Sequence, residues 1–394
     1  MKKTITIMTA MLFLTVGLTA SDVFAEVFKA EKKSEYVGSE TCKKCHKTEY
    51  DSWKLTFHSK MIRKKDDGIL KDVVEKWKTD GFESGPTTGN VTGAKFTIDD
   101  VQYTIGSNWK QRFLVKDDST GGYQFLNRQF NRMSGRWEPY GAKSDWDTNC
   151  ATCHTTGYRL TNYDTENPKT QKAEWSELNN ACENCHGPGA KHMQSRSKKD
   201  IWNFAGKSKV EQARVCGYCH IRLENEKYKT AQGSNREDFP APKVGDSFKP
   251  SDDWTKWYPD HVIVPGVQEN HPFDAEYKGD LKGMFIVDAI SKANGVYEEG
   301  KHHEEYQGFI QSKHYKSAGL SCIDCHSAHA TKKQPMKDPV KSCSQCHDES
   351  YTYTKYMPGT GKTAENLFVR SHTFIKNQQR PNLPTDQGVP IYYK

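Results

Sequence analysis

Six short stretches of the chain carry the same reactive groups. Each has two cysteines three positions apart and a histidine directly after the second. They are Cys42, Cys45 and His46; Cys150, Cys153 and His154; Cys182, Cys185 and His186; Cys216, Cys219 and His220; Cys322, Cys325 and His326; and Cys343, Cys346 and His347. On a helix, residues i and i+3 share a face, so both thiols of a pair point the same way. C-x-x-C-H is the attachment signature of c-type haem: the thiols add to its vinyl groups, and the imidazole binds the iron from one side. Zinc ribbons also pair C-x-x-C units but do not need a histidine after every one. The six motifs consume all twelve cysteines, leaving none for a disulfide, a lipid anchor or a nucleophile. The expected cofactors are six covalently bound haem c groups.

The second axial ligand decides what each iron can do. Histidine there gives a six-coordinate, low-potential electron carrier, methionine raises the potential, and an open position admits substrate. Nine histidines lie outside the motifs: His58, His192, His261, His271, His302, His303, His314, His329 and His372. His58 sits beside an apolar face of Tyr50, Trp53 and Phe57. His192 follows a Gly-Pro-Gly turn that can fold back, His314 stands just before the fifth motif, and His372 lies in "RSHTF". His303 and His314 are eleven residues apart, close to three helical turns, so they can face one side. One of His302 and His303 is expected to bind iron, with His303 favoured. His261 and His271 read as surface residues in a loop-rich gap, although a ligand role stays open. Met284 and Met357 are weaker candidates. His329 cannot sit trans to His326, because residues at i and i+3 project to the same side while trans ligands straddle the haem plane. It should reach a neighbouring haem and staple two cofactors together.

Covalent haem attachment takes place outside the cytoplasm, and the first 25 residues read as an export signal. Lys2 and Lys3 precede an apolar run, and Val23 and Ala25 fit an A-x-A-like cleavage site, giving a mature chain from Glu26. The run is short for a spanning helix and no later segment could span a bilayer. A periplasmic or extracellular location is expected, with no membrane span. Apolar residues make up 35% of the chain, against roughly 45–50% in ordinary globular domains. Six macrocycles would supply the missing apolar surface, so the haem-free chain is not expected to fold. The formal charge of +7 falls to +6 without Lys2, Lys3 and Asp22. A ferric bis-histidine haem with two ionised propionates carries one negative charge, so six haems cancel the excess. The basic composition is thus a counter-charge and no evidence of nucleic-acid binding.

The elements that must hold these groups are short. "SKVEQARVCGYCH" opens with a capping box, Ser208 with Glu211. "KDPVKSCSQCH" starts a helix with Asp338 before Pro339. The longest helix is predicted over Glu299 to Ser317, from Tyr306, Phe309 and Ile310 at helical spacing. "FTIDDVQYTIG" and "RFLVKDDSTGGYQFL" read as strands, the second as a hairpin. The fold class is therefore mainly α, a multihaem cytochrome c fold packed around six haems. It should form a single domain over 26–394, with a small β insertion about 95–130 and irregular loop about 224–294.

At these motifs the chain resembles a known family. "YVGSETCKKCHKTEYDSWKLTFHSKM", "CENCHGPGAKH" and "GFIQSKHYKSAGLSCIDCHSAH" look like segments of multihaem cytochromes similar to the tetrahaem electron carrier of ammonia oxidisers. The wider superfamily holds hydroxylamine oxidoreductase and multihaem nitrite reductase. The resemblance runs in order over most of Tyr36–Phe374. It implies stacked haem pairs, with His58, His192, His314 and His329 as distal ligands. The chain has no C-x-x-C-K motif, so it lacks the lysine-ligated haem of the pentahaem nitrite reductases. The function expected is transfer of electrons along closely packed bis-histidine haems, in anaerobic or extracellular respiration. The alternative is a reductase or oxidase of small nitrogen or sulfur compounds with one open haem. Expected partners are redox proteins, either other cytochromes or quinol-oxidising complexes, and assembly into an oligomer or filament is compatible with this reading.

Overall fold

A computed structural model describes residues 35–68, 71–79, 96–106, 109–118, 120–140, 146–162, 172–222, 242, 245–256, 285–286, 289–300, 302–329, 339–363 and 367–375. The chain divides into two units, Met1–Glu35 and Tyr36–Lys394. The expected export signal, most of the loop-rich segment, His261, His271 and Met284 lie outside the described residues.

The largest element is an antiparallel six-stranded sheet, wider than the insertion expected over 95–130. Its strands are β1 (Ile62–Lys64), β2 (Val101–Ile105), β3 (Lys110–Lys116), β4 (Tyr123–Phe125), β5 (Arg128–Asn131) and β6 (Arg136–Pro139). The order is β1-β2-β3-β5-β6, with β4 also paired to β3. The hairpin read from the sequence is β3–β4, in register Leu114 to Phe125. The sheet extends further because Ile62–Lys64 pairs with β2 across a long separation, which no local turn signal announces.

Strand β3 is buried on both faces, as period-2 alternation makes visible. Phe113 and Val115 join Val73, Trp77, Val101, Leu126 and Phe130 in one cluster. Leu114 points the other way, into Ile62, Ile105, Phe125, Trp146, Ala151, Tyr158, Leu160 and Ala173. The second cluster also touches Cys150, so this face of the sheet is the wall of the second motif.

The helices around the motifs are short, none among the described residues longer than nine residues. In chain order they include α1 (Ser39–Cys42), α2 (Lys47–Leu55), α3 (Ala151–His154), α4 (Cys182–His186), α5 (Ala190–Ser195), α6 (Lys209–Gly217), α7 (Glu305–Gln311), α8 (Lys313–Lys316), α9 (Cys322–Cys325) and α10 (Pro339–Ser344). The capping box at Ser208 and Glu211 forms, with both reciprocal bonds made. Helix α10 begins at Pro339. The single helix expected over Glu299–Ser317 is instead two, α7 and α8. Ser312 leaves helical geometry between them (ψ 156°), and its hydroxyl accepts the Tyr315 N–H, a capping bond that outcompetes continuation of the helix. A third cluster, Ala213, Tyr218, Ile221, Phe248, Trp254, Tyr306 and Phe309, seats α7 against the fourth motif.

Candidate haem centres

Two imidazoles trans on one metal have a predictable spacing. A metal–nitrogen bond is about 2 Å and the ring centre lies about 1 Å behind the nitrogen, so the centroids stand about 6 Å apart. Five histidine pairs that share no ring show this spacing. They are His46–His192 at 6.3 Å, His58–His220 at 6.3 Å, His186–His329 at 6.1 Å, His314–His347 at 5.9 Å and His326–His372 at 6.1 Å. Each joins one motif histidine to one outside the motifs. His329 faces His186 of the third motif, with ring planes 9° apart, while His326 faces His372. Replacing His329 with alanine is therefore expected to leave six covalent haems and to remove the low-spin signal of the third site, not the fifth. Intact mass and electron paramagnetic resonance check this. An unchanged set of low-spin signals would disprove the pairing.

A second ring, His303, stands 6.4 Å from His220. The Glu305 carboxylate accepts a hydrogen bond from His220 Nδ1 at 3.1 Å, and the same carboxylate acts on His303. The titratable groups that act on His58 are His220 and His326. When Nε2 holds a metal, Nδ1 points away from it, so Glu305 marks the rear of His220. The geometry therefore favours His58 over His303 as the facing ligand. His302 and His303 pack on each other at 4.6 Å, and the Arg222 guanidinium donates to the His302 carbonyl. Met357 is buried. His154, of the second motif, has Trp146 edge-on at 5.8 Å. Among the described residues no second imidazole faces it at ligand spacing.

The local sequence explains how these rings are placed. Gly187 turns the chain in the left-handed region (φ 74°), where a side chain would be strained, and brings α5 with His192 back towards the first motif. His58 sits in a tight turn whose carbonyl accepts the Asn180 N–H, while Trp53 Nε1 donates to the Asn180 carbonyl. Asn179 adopts a positive φ of 75°. Its side chain takes the Ile62 N–H and its own N–H donates to the His154 carbonyl. This one loop thus positions both His58 and His154. Asp147, almost wholly buried, accepts from Tyr123 and Ala173 N–H groups. It ties the sheet to the wide turn Trp146–Cys150 that leads into the second motif. Glu183, between the two cysteines of the third motif, accepts from Val37, Gly38 and Gly189 N–H groups. The Glu299 carboxylate takes the His372 N–H at 2.8 Å.

The ring nitrogens are arranged for metal binding. His186 Nδ1 donates to the Trp202 carbonyl at 3.1 Å and His192 Nδ1 to the Ser197 carbonyl at 3.0 Å. A carbonyl can only accept, so both rings carry the proton on Nδ1 and leave Nε2 as the donor to a metal. Burial pushes His58, His154 and His372 down to about 4, which keeps them neutral, the form that ligates. Thiols of different motifs stand side by side: Cys42 with Cys182, Cys153 with Cys219 and Cys216 with Cys322. At the third motif, paired thiols, an imidazole with Nδ1 engaged and a second imidazole facing it form a donor set that fits haem c. The carboxylates that set these positions were not read from the sequence. Their partners are backbone N–H groups or rings far away in the chain, and only the capping acids have a local signal.

Residues 41–85 and 117–187 match the model of the family described as cytochrome c554 and c-prime. Among solved structures the chain is similar to the outer cell wall cytochrome OcwA, with 21% identity, a TM-score of 0.56, and coverage of 86% of this chain and 80% of that one. It is also similar to an undecahaem cytochrome from the S-layer of Carboxydothermus ferrireducens, with 19% identity, 86% and 47% coverage and a TM-score of 0.43. A third similar structure is the octahaem sulfite reductase MccA of Wolinella succinogenes, with 14% identity, 91% and 62% coverage and a TM-score of 0.41. No curated protein matches the sequence. The OcwA likeness shows that the chain shares the fold of that structure. No helix among the described residues is long and apolar enough to cross a membrane.

Proposed function

We propose that the chain is an exported six-haem c-type cytochrome that transfers electrons along a file of closely packed bis-histidine haems to redox-protein partners. The observation that carries this is the set of five facing imidazole pairs, each holding one C-x-x-C-H histidine. Bound haem would supply reversible one-electron iron chemistry. The twelve motif cysteines would hold the cofactors. His46, His154, His186, His220, His326 and His347 would bind from one side, and His192, His329, His58, His372 and His314 would close five of the sites from the other. Two imidazoles held in place by packing, and at His186, His192 and His220 by an Nδ1 bond, would change little between oxidation states and would deny the metal to small molecules.

The side-by-side thiols support a connected arrangement. They link the first motif to the third, the second to the fourth and the fourth to the fifth, while Cys185 of the third lies near Cys216 and Cys219 of the fourth. His314, just before the fifth motif, faces His347 of the sixth. Cys45 and Cys346 are exposed, so the first and sixth motifs would be ends open to partners, with the second motif branching from the fourth. The likeness to an outer cell wall cytochrome supports a place in extracellular respiration.

One observation favours a second reading. His154 has an aromatic neighbour and, among the described residues, no facing imidazole, which suits an open site for reduction or oxidation of a small nitrogen or sulfur compound. Mass and ferric spin state test both readings together. The expected result is six covalent haems, at least five of them low-spin. A low-spin sixth haem makes the protein a carrier throughout. A stoichiometric high-spin haem with steady turnover of nitrite, hydroxylamine or tetrathionate makes it an enzyme. Fewer than six covalent haems would overturn the proposal.

A further inference from the structure

The ligand histidines differ in what holds their outer nitrogen. His186 and His192 have a neutral backbone carbonyl on Nδ1. Nδ1 of His314 is buried without a hydrogen-bond partner, and that of His372 lies 3.9 Å from the Glu299 carboxylate. Nδ1 of His220 has a carboxylate at hydrogen-bond distance, Glu305 Oε2 at 3.1 Å.

That carboxylate is firmly mounted. Glu305 begins α7. The next residue, Tyr306, donates its N–H to the His220 carbonyl at 2.9 Å. Gln307 then clamps Arg222 from both sides: its Oε1 takes the Arg222 N–H at 2.9 Å and its Nε2 donates to the Arg222 carbonyl at 2.7 Å. Gly217, at the end of α6, lies so close to the Tyr306 ring that a Cβ would clash with it. Helix α7 therefore cannot slide along the fourth motif, and Glu305 stays on the ring.

We infer that Glu305 is a tuning residue that holds the reduction potential of the fourth site below the value a carbonyl or an unbonded Nδ1 would allow. A charge-assisted bond is stronger than one to a neutral acceptor and makes the imidazole a better electron donor, which stabilises the ferric state. The position matters because thiols of the fourth motif adjoin those of the second, third and fifth. A low-potential station there stands at the junction of the file, and electron exchange between its two halves meets its highest step at that point. The inference rests on the six-haem reading above.

The test is a redox titration followed optically and by electron paramagnetic resonance on holoprotein carrying Glu305→Gln, with haem content fixed by intact mass. The glutamine keeps the shape and removes the charge. One low-spin haem should become easier to reduce by about tenfold in its equilibrium constant, about 59 mV for one electron, and its ferric signal should change while the rest stay in place. Glu305→Asp keeps the charge but draws it back from Nδ1, and should shift the same haem in the same direction. Full haem content with unchanged potentials in Glu305→Gln overturns the inference and leaves the six-haem reading standing. An unchanged potential in Glu305→Asp overturns the hydrogen-bond cause in favour of charge at a distance. Wild-type protein without haem on the fourth motif overturns both readings.

Discussion

Protein with all twelve motif cysteines replaced by serine is expected to keep its sheet and lose the cooperative fold of everything around the motifs. The helices that carry the candidate ligands run from four to nine residues, below the roughly 12–15 residues at which isolated helices become marginal in water. They are held by what they pack on, and at five places they face a gap sized for a metal between two imidazoles. Without the cofactor those facing rings lack the metal that Nε2 would hold, and binding energy that would be folding energy is missing. The sheet is different. Its strands pack Phe113, Val115, Leu126 and Phe130 against Val73 and Trp77 in a cluster without cysteine or histidine, and several strands with a covered apolar face can stand alone. Hydrogen exchange should show slow amides in Val101–Pro139 and fast ones in Lys209–Gly217 and Glu305–Gln311, with no cooperative thermal transition in the helical signal. A sharp transition with protected motif helices would show that the chain folds without its cofactors.

What could be read from the sequence follows the range of the interaction. C-x-x-C-H is a five-residue covalent pattern, visible wherever it occurs. The Ser208–Glu211 box and the β3–β4 hairpin are also local, and both were legible. Ser312 is a local signal too, but the periodic apolar residues Tyr306, Phe309 and Ile310 mask it, and their spacing predicts one helix straight through the cap. The pairing of histidines was not legible beyond the sense that His329 must leave its own motif. His46 meets His192, and His58 meets His220, across more than a hundred residues, where spacing carries no information. Least legible were the buried acids. Glu183 reads as a polar filler between two cysteines, and Glu305 as one more charge in "HHEEY". Each acts on groups that only the fold brings near.

Glu183 shows how much can hang on such a residue. Its side chain is 1% exposed. One oxygen accepts from Val37 and Gly189, at 2.9 and 2.7 Å, and the other from Gly38 at 2.8 Å. Gly38 caps α1, which delivers Cys42. Gly189 caps α5, which delivers His192. His192 faces His46, so one carboxylate from the third motif fixes both sides of the first. Glu183→Ala would leave three backbone N–H groups without an acceptor, at about 1–3 kcal/mol each. The total of about 3 kcal/mol or more should lower the melting temperature by about 5 °C or more. The loss should be local as well. With α1 and α5 released from each other, the His46–His192 gap widens, and one of the six haems should turn high-spin and bind carbon monoxide when reduced. Glu183→Gln should fall between, because the amide keeps one acceptor but sets an N–H against an N–H. If Glu183→Ala melts within a degree of wild type and stays low-spin at the first site, the carboxylate is not the joint between the two motifs.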